Sequence, residues 1–322
     1  MTAFTGPTAI TPYVAGDALT RATNWADLPP DERRRRAVVA AAGHDAPALW
    51  QIAEAYLTLH GRAGATVSVY TLRNYRQGVT SLVEAWAREN LLHPGHDAAA
   101  VWLRHLEGQS LKPSTIMVRL AAARTLYKAL RWTRATEVDP FADARPAADK
   151  TAPWDRRGPY SDDELLTLRR VAAPIDDALI LLAGHGGLRA GEIMALRWED
   201  LDLDGRELMV RNGKGGKQRR IVLSASAAEA LRKIAPLEKP SGYVLSYRTP
   251  HEARARMQRL CKRAGVAYKG IHSLRHTAGT RLFRETESME DTARHLGHTS
   301  IETTRVYAKW SNQRLQATVG EW

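Results

Sequence analysis

Leu296-Gly297-His298-Thr299-Ser300-Ile301-Glu302-Thr303-Thr304-Arg305-Val306-Tyr307 sets a histidine nine residues ahead of a tyrosine. Nine residues turn an α-helix through about half a revolution, so the two side chains cannot share one face of a continuous helix. Thr299 and Glu302, however, form a capping-box pattern that starts a new helix directly after His298. His298 then sits at a helix entry and Tyr307 about two turns inside it. Upstream, His272-Ser273-Leu274-Arg275-His276 places a histidine and an arginine three apart, on one helix face. Further upstream, Gly187-Leu188-Arg189-Ala190-Gly191-Glu192 sets Arg189 and Glu192 in the same relation. Between these two segments, residues 206–211 and 218–223 read as strands. The turn Asn212-Gly213-Lys214-Gly215-Gly216-Lys217 joins them and carries two lysines.

The charge is concentrated in the same region. The 322 residues hold 47 Lys and Arg against 35 Asp and Glu, a net charge of +12. Residues 205–281 hold 18 basic and 4 acidic side chains, so the rest of the chain is slightly acidic. An excess placed this way invites a polyanionic partner. The apolar fraction of 44% and charged fraction of 25% exclude disorder as the dominant state. No run approaches the ~18 apolar residues that span a bilayer, which excludes a transmembrane helix. The longest apolar run, 178–183, reads as a buried core helix. A single cysteine, Cys261, makes no internal disulfide, and no secretory pattern opens the chain. Both point to a reducing, cytoplasmic compartment.

Residues 1–44, rich in turn formers, read as an irregular or partly helical leader. The run Arg33-Arg34-Arg35-Arg36 within it reads as a solvated helix face. Residues 45–138 read as a small domain of four helices. The first of these carries Leu49, Ile52, Ala53, Tyr56 and Leu57 on one face. Residues 139–160, punctuated by Pro140, Pro146, Pro153 and Pro159, read as a linker. A second domain, 161–322, opens on the capping box Ser161-Asp162-Asp163-Glu164, with helix running through Leu181.

In the order, type and spacing of these segments the sequence resembles the tyrosine recombinase (phage integrase) family, especially its Xer-like bacterial members, over residues 47–322. The resemblance implies a mainly α fold. A four-helix, SAM-like core-binding domain is followed by a mainly α catalytic domain with a small β-sheet. It implies that Arg189, Lys214, His272, Arg275, His298 and Tyr307 are catalytic, with Glu192 in support. Tyr307 would be the nucleophile that forms a 3′-phosphotyrosyl bond. Arg189 and Arg275 would clamp the phosphate, and Lys214 would protonate the leaving 5′-oxygen. Lys217, Arg219 and Arg220 read as DNA-contacting residues. Neither a metal nor a nucleotide cofactor is implied. The partners would be a double-stranded recombination site and three further copies, forming a tetramer on paired sites. A related recombinase or an activator protein is left open, and the setting would be the cytoplasmic nucleoid. Residues 308–322 would pack on a neighbouring protomer, anchored by Trp310 or Trp322.

Other chemistries fit the residues less well. His272 and His276 have zinc-binding spacing, but Arg275 would repel the ion and no glutamate lies between them. The lysine turn lacks the Ser or Thr of a nucleotide-binding loop and joins two strands. His185, His276, His295 and Cys261 read as structural. A type IB topoisomerase and a non-catalytic DNA-binding protein on the same fold stay open, as does the choice between Lys214 and Lys217.

Overall fold

The computed structural model describes residues 15–149, 151, 158–211, 218–235, 242–247, 249–298 and 304–310. The chain divides into two compact units, Met1–Lys150 and Thr151–Trp322.

The first unit is helical among its described residues: α1 (Ala15–Ala26), α2 (Pro30–Ala42), α3 (Ala46–His60), α4 (Val69–Ala85), α5 (Ala98–Gly108) and α6 (Pro113–Trp132). The four expected helices are α3–α6. Two more precede them where a largely irregular leader was expected. α2 joins the common core through Ala37, Ala40 and Ala41, a stripe of methyl groups that carries little periodic signal. Pro29 and Pro30 mark its start rather than a loop, because proline at the first helical position loses no helix hydrogen bond. Arg34, Arg35 and Arg36 are exposed, as a solvated face requires, while Arg33 lies 4.8 Å over the Trp132 ring.

The unit also extends further than the sequence suggested. Phe141 is wholly buried, stacked 5.5 Å from Trp86 and edge-on 5.4 Å from Trp102. Arg124 donates to the Phe141 and Ala144 carbonyls, Arg104 to the Arg145 carbonyl, and the Ala147 amide to Glu107. Residues 139–147, expected as linker, are therefore seated on the helices. Prolines break periodicity but do not prevent a segment from packing through one aromatic anchor.

The second unit holds α7 (Asp162–Arg170), α8 (Pro174–Gly184), α9 (Ala190–Ala195), β1 (Leu201–Asp202), β2 (Glu207–Val210), β3 (Arg219–Val222), α10 (Ala225–Ile234), α11 (Pro250–Ala264), α12 (Ile271–Thr286), α13 (Met289–Leu296) and α14 (Arg305–Trp310). Ser161 and Glu164 make the reciprocal capping box at the start of α7. The single helix expected through Leu181 is two helices. Pro174 forces Ala173 into an extended conformation (ψ 156°) and restarts the helix. In α8 every residue from Ala178 to Gly184 is buried, and the helix packs on α10 and α12. The sheet is antiparallel, β1-β2-β3, with Leu208 opposite Ile221 and Val210 opposite Arg219.

Candidate active site

The site forms around the end of α13. A helix leaves its last carbonyls without intrahelical partners, and the helix dipole makes that end negative. α13 stops at Gly297, whose φ of +67° is left-handed, with the His298 amide returning to the Ala293 carbonyl. Three arginines from three different elements then converge on three successive carbonyls. Arg219 Nε donates to His295 O (3.2 Å), Arg275 Nη2 to Leu296 O (2.7 Å) and Arg189 Nη2 to Gly297 O (3.4 Å). Arg275, on α12, also donates to Gly187 O at 2.5 Å and is only 1% exposed. Burial, and then the Arg189 charge beside it, push its pKa down to about 10, which still leaves it cationic at neutral pH.

Glu192 is the counter-charge. It lies at the third position of α9 and accepts from the Arg189 amide (2.9 Å) and from Arg189 Nη1 (2.8 Å). Both terminal nitrogens of Arg219 also grip it, at 2.9 and 2.7 Å. Arg275 Nη1 lies 3.9 Å away. Burial alone would raise the carboxyl; the Arg219 fork and the Arg189 amide overcome it and hold the pKa at about 2.

Tyr307, on α14, is buried over α12 with its ring directly above Gly279. A β-carbon at 279 would lie 2.5 Å from Tyr307 Cζ, so only glycine allows this approach. The His298 ring stacks on Tyr307, with centroids 6.0 Å apart and planes at 16°, and His298 Nδ1 bonds to Thr304 Oγ1 at 3.0 Å. His276 contacts the tyrosine ring at 5.9 Å, and His272 in turn meets the His276 ring edge-on at 4.6 Å. Burial raises the Tyr307 phenol to about 12, although Arg275 and Arg189 act against it. Burial followed by the Arg275 and Arg189 charges lowers His298 to about 4. His272 is exposed, yet crowding by protein and the same two arginines lower it as well. At neutral pH the site thus presents cationic arginines, neutral histidines and a protonated tyrosine. That set can hold a tetrahedral oxyanion and attack it.

The model of the phage integrase family matches residues 163–314, and that of its N-terminal SAM-like domain matches residues 63–134. The chain is 30% identical over 308 residues to tyrosine recombinase XerC of Xanthomonas campestris pv. campestris, covering 89% of this chain and 92% of that one. It is 31% identical over 283 residues to XerC of Xanthomonas axonopodis pv. citri, covering 77% and 89%. The chain belongs to the tyrosine recombinase family. Solved structures share this tyrosine recombinase fold. The XerH site-specific recombinase bound to a palindromic difH substrate aligns with a TM-score of 0.62 at 17% identity, over 96% of this chain and 94% of that one. A lambda integrase dimer on a COC′ core site gives 0.58 at 20% identity, over 75% and 89%.

Of the residues expected in the tyrosine recombinase site, Arg189, Glu192, Arg275, His298 and Tyr307 come together, with His272 at the margin beside His276. Lys214, Lys217 and the Thr299–Glu302 capping pattern lie outside the described residues, as do residues 311–322 with Trp322 and the side chain of Trp310. Arg219 departs from its expected role as a DNA contact: its side chain is 11% exposed and its guanidinium is committed to Glu192 and His295 O. Arg220, the next residue, is 66% exposed and pairs with Glu207 at 3.1 Å. Strand alternation is the signal that separates them, since Arg219 shares its face with buried Ile221 and Arg220 does not. Gly279, Thr304 and the α13 carbonyls carry no sequence mark. His185 is structural, as expected. Arg281 donates to its Nε2 (2.9 Å), which leaves Nδ1 to donate to the α10 cap Ser224 (2.8 Å).

Proposed function

We propose that this protein is a site-specific DNA recombinase that cuts and rejoins strands through a 3′-phosphotyrosyl intermediate. The observation that carries the proposal is the convergence of Arg275, Arg189, His298 and Tyr307 at the end of α13. Tyr307 Oη attacks the scissile phosphorus, and the bond to the 5′-oxygen breaks. Lys214, or its neighbour Lys217, supplies the proton that the leaving 5′-oxygen takes. Arg189 and Arg275 neutralise the non-bridging oxygens, and His298 adds a hydrogen bond. A phenol held at about 12 costs on the order of 7 kcal/mol to ionise at pH 7. A base must therefore receive its proton as it attacks, and His272 is the candidate. The phosphotyrosyl bond keeps the phosphodiester energy, so rejoining by a 5′-hydroxyl of the partner strand needs neither metal nor nucleotide.

The substrate is a double-stranded recombination site. Four copies act on two paired sites and exchange strands in two rounds through a four-way junction, with residues 308–322 bridging protomers. Support comes from relatives whose structures hold DNA, such as the Tn1549 transposon integrase with transposon right end DNA. The place of action is the nucleoid, in the cytoplasm. Among the described residues no helix is long and apolar enough to cross a membrane.

The test is a nicked duplex that traps the covalent intermediate. Wild-type protein is expected to form a 3′-linked adduct, and Tyr307→Phe to bind the same duplex without forming one. Absence of any adduct with wild-type protein would refute the proposal. Relaxation of plasmid lacking a special site by a monomer would replace it with topoisomerase chemistry.

A further inference from the structure

We infer that Arg219 is a positioning residue of this site: it locks the arginine-bearing turn, the end of α13 and strand β3 into one register. The inference rests on the reading proposed above and adds to it a residue whose side chain reaches no substrate.

Four observations carry it. The Arg219 fork holds both oxygens of Glu192, the carboxylate that also grips Arg189 through its amide and its guanidinium. Its Nε takes the His295 carbonyl, next to the Leu296 and Gly297 carbonyls held by Arg275 and Arg189. Its aliphatic stem fills the space above Gly297, where a β-carbon would lie 2.8 Å from Arg219 Cδ. Finally, Arg219 opens β3 on the face it shares with buried Ile221, so the sheet anchors the fork. One guanidinium thus ties three backbone segments together, two of which bear the proposed phosphate-contacting residues Arg189 and His298. Lysine cannot replace it, because a single ammonium cannot bind both Glu192 oxygens and a carbonyl on the opposite side in fixed geometry. Displacing either partner moves Arg189 or His298 relative to Tyr307, and a shift of about 1 Å in such a site can cost about 100-fold in rate.

The test uses the full chain. A library of nicked duplexes with randomised arms is incubated with wild-type protein, and duplexes trapped as covalent adducts become the substrates. Arg219→Ala is expected to lower the single-turnover cleavage rate about 100-fold while the gel-shift Kd stays within about threefold. Arg219→Lys should recover about a tenth of the lost rate or less. Methylguanidinium, but not tetramethylammonium at equal ionic strength, should partly restore Arg219→Ala, which a general loss of folding would not allow. Arg232→Ala, on the exposed face of α10, is the control.

A second measurement needs no DNA. The buried Arg275 Nε–H should exchange slowly with solvent in the wild type, and at least about tenfold faster in Arg219→Ala. Unchanged exchange, or cleavage by Arg219→Ala at the wild-type rate, overturns the inference. So does a parallel fall of cleavage and melting temperature with no guanidinium rescue. If exchange responds as expected but the wild type forms no adduct with any duplex, the recombinase reading fails and the positioning role stands.

Discussion

Gly279→Ala tests whether Tyr307 is seated where the structure puts it. The new methyl group would lie 2.5 Å from Tyr307 Cζ and 2.7 Å from both Cε atoms. Carbon atoms settle at about 3.5 Å or more, so the ring must retreat by about 1 Å. Two effects of opposite sign compete. Within the body of α12, replacing glycine by alanine favours the helix by about 1 kcal/mol. Overpacking against a buried ring costs about 1–3 kcal/mol. The substitution should therefore be neutral to destabilising by about 2 kcal/mol in the wild type. With Tyr307→Ala as background the ring is gone, and the same substitution should stabilise by about 1 kcal/mol. The coupling between the two positions is then about 1–3 kcal/mol, measurable by urea denaturation of the four proteins of a double-mutant cycle. The phenol reports independently. Absorbance titration against Tyr307→Phe should find Tyr307 near 12 in the wild type and closer to the ordinary value of 10 once Gly279→Ala displaces it. A coupling below about 0.5 kcal/mol, or stabilisation of the wild type by Gly279→Ala, would refute the placement of the ring.

Two further outcomes follow from the charges and the core. Glu192 is held at about 2 against 4.5 in the unfolded chain, so its contribution is complete above pH 4.5 and disappears as pH falls towards 2. Glu192→Gln should remove on the order of 3 kcal/mol of stability at pH 7 and flatten the stability profile between pH 4.5 and 2; an unchanged profile there would contradict the arginine cage. Phe141→Ala should destabilise the first unit by about 3–5 kcal/mol and perturb the fluorescence of Trp86 and Trp102, both of which touch its ring. A mutant as stable as wild type would return residues 139–147 to the linker.

Residue type and spacing already located much of this site. Arg189 with Glu192, His272 with Arg275, and His298 ahead of Tyr307 are local relations, set by helical geometry within each segment. The helices α3–α6, the capping box at Ser161 and the strand pair were legible for the same reason, because each is encoded by periodicity or by a cap within a few residues. Where the pattern was weak, the reading fell short. The alanine face of α2 gave no contrast between core and solvent, and Phe141 is a single anchor in a proline-rich stretch. Pro174 divides a run that periodicity alone reads as continuous helix.

Arg219 and Arg220 mark the boundary most clearly. They are adjacent, identical in chemistry and equally basic to any count of charge. The sequence by itself determined the family, the order of the chemical groups and the basic segment that contains them. Strand alternation puts the two on opposite faces, but only the tertiary structure decided that the inward one closes on Glu192 and the end of α13. The helix end that gathers three arginines consists of backbone carbonyls, which every residue possesses and no residue type announces. Their electrostatic role arises only when Gly297 stops the helix beside α9, α12 and β3. Likewise, Gly279 becomes the seat of Tyr307 only because α14 folds back onto α12, and no local pattern records a contact between segments that distant in the chain.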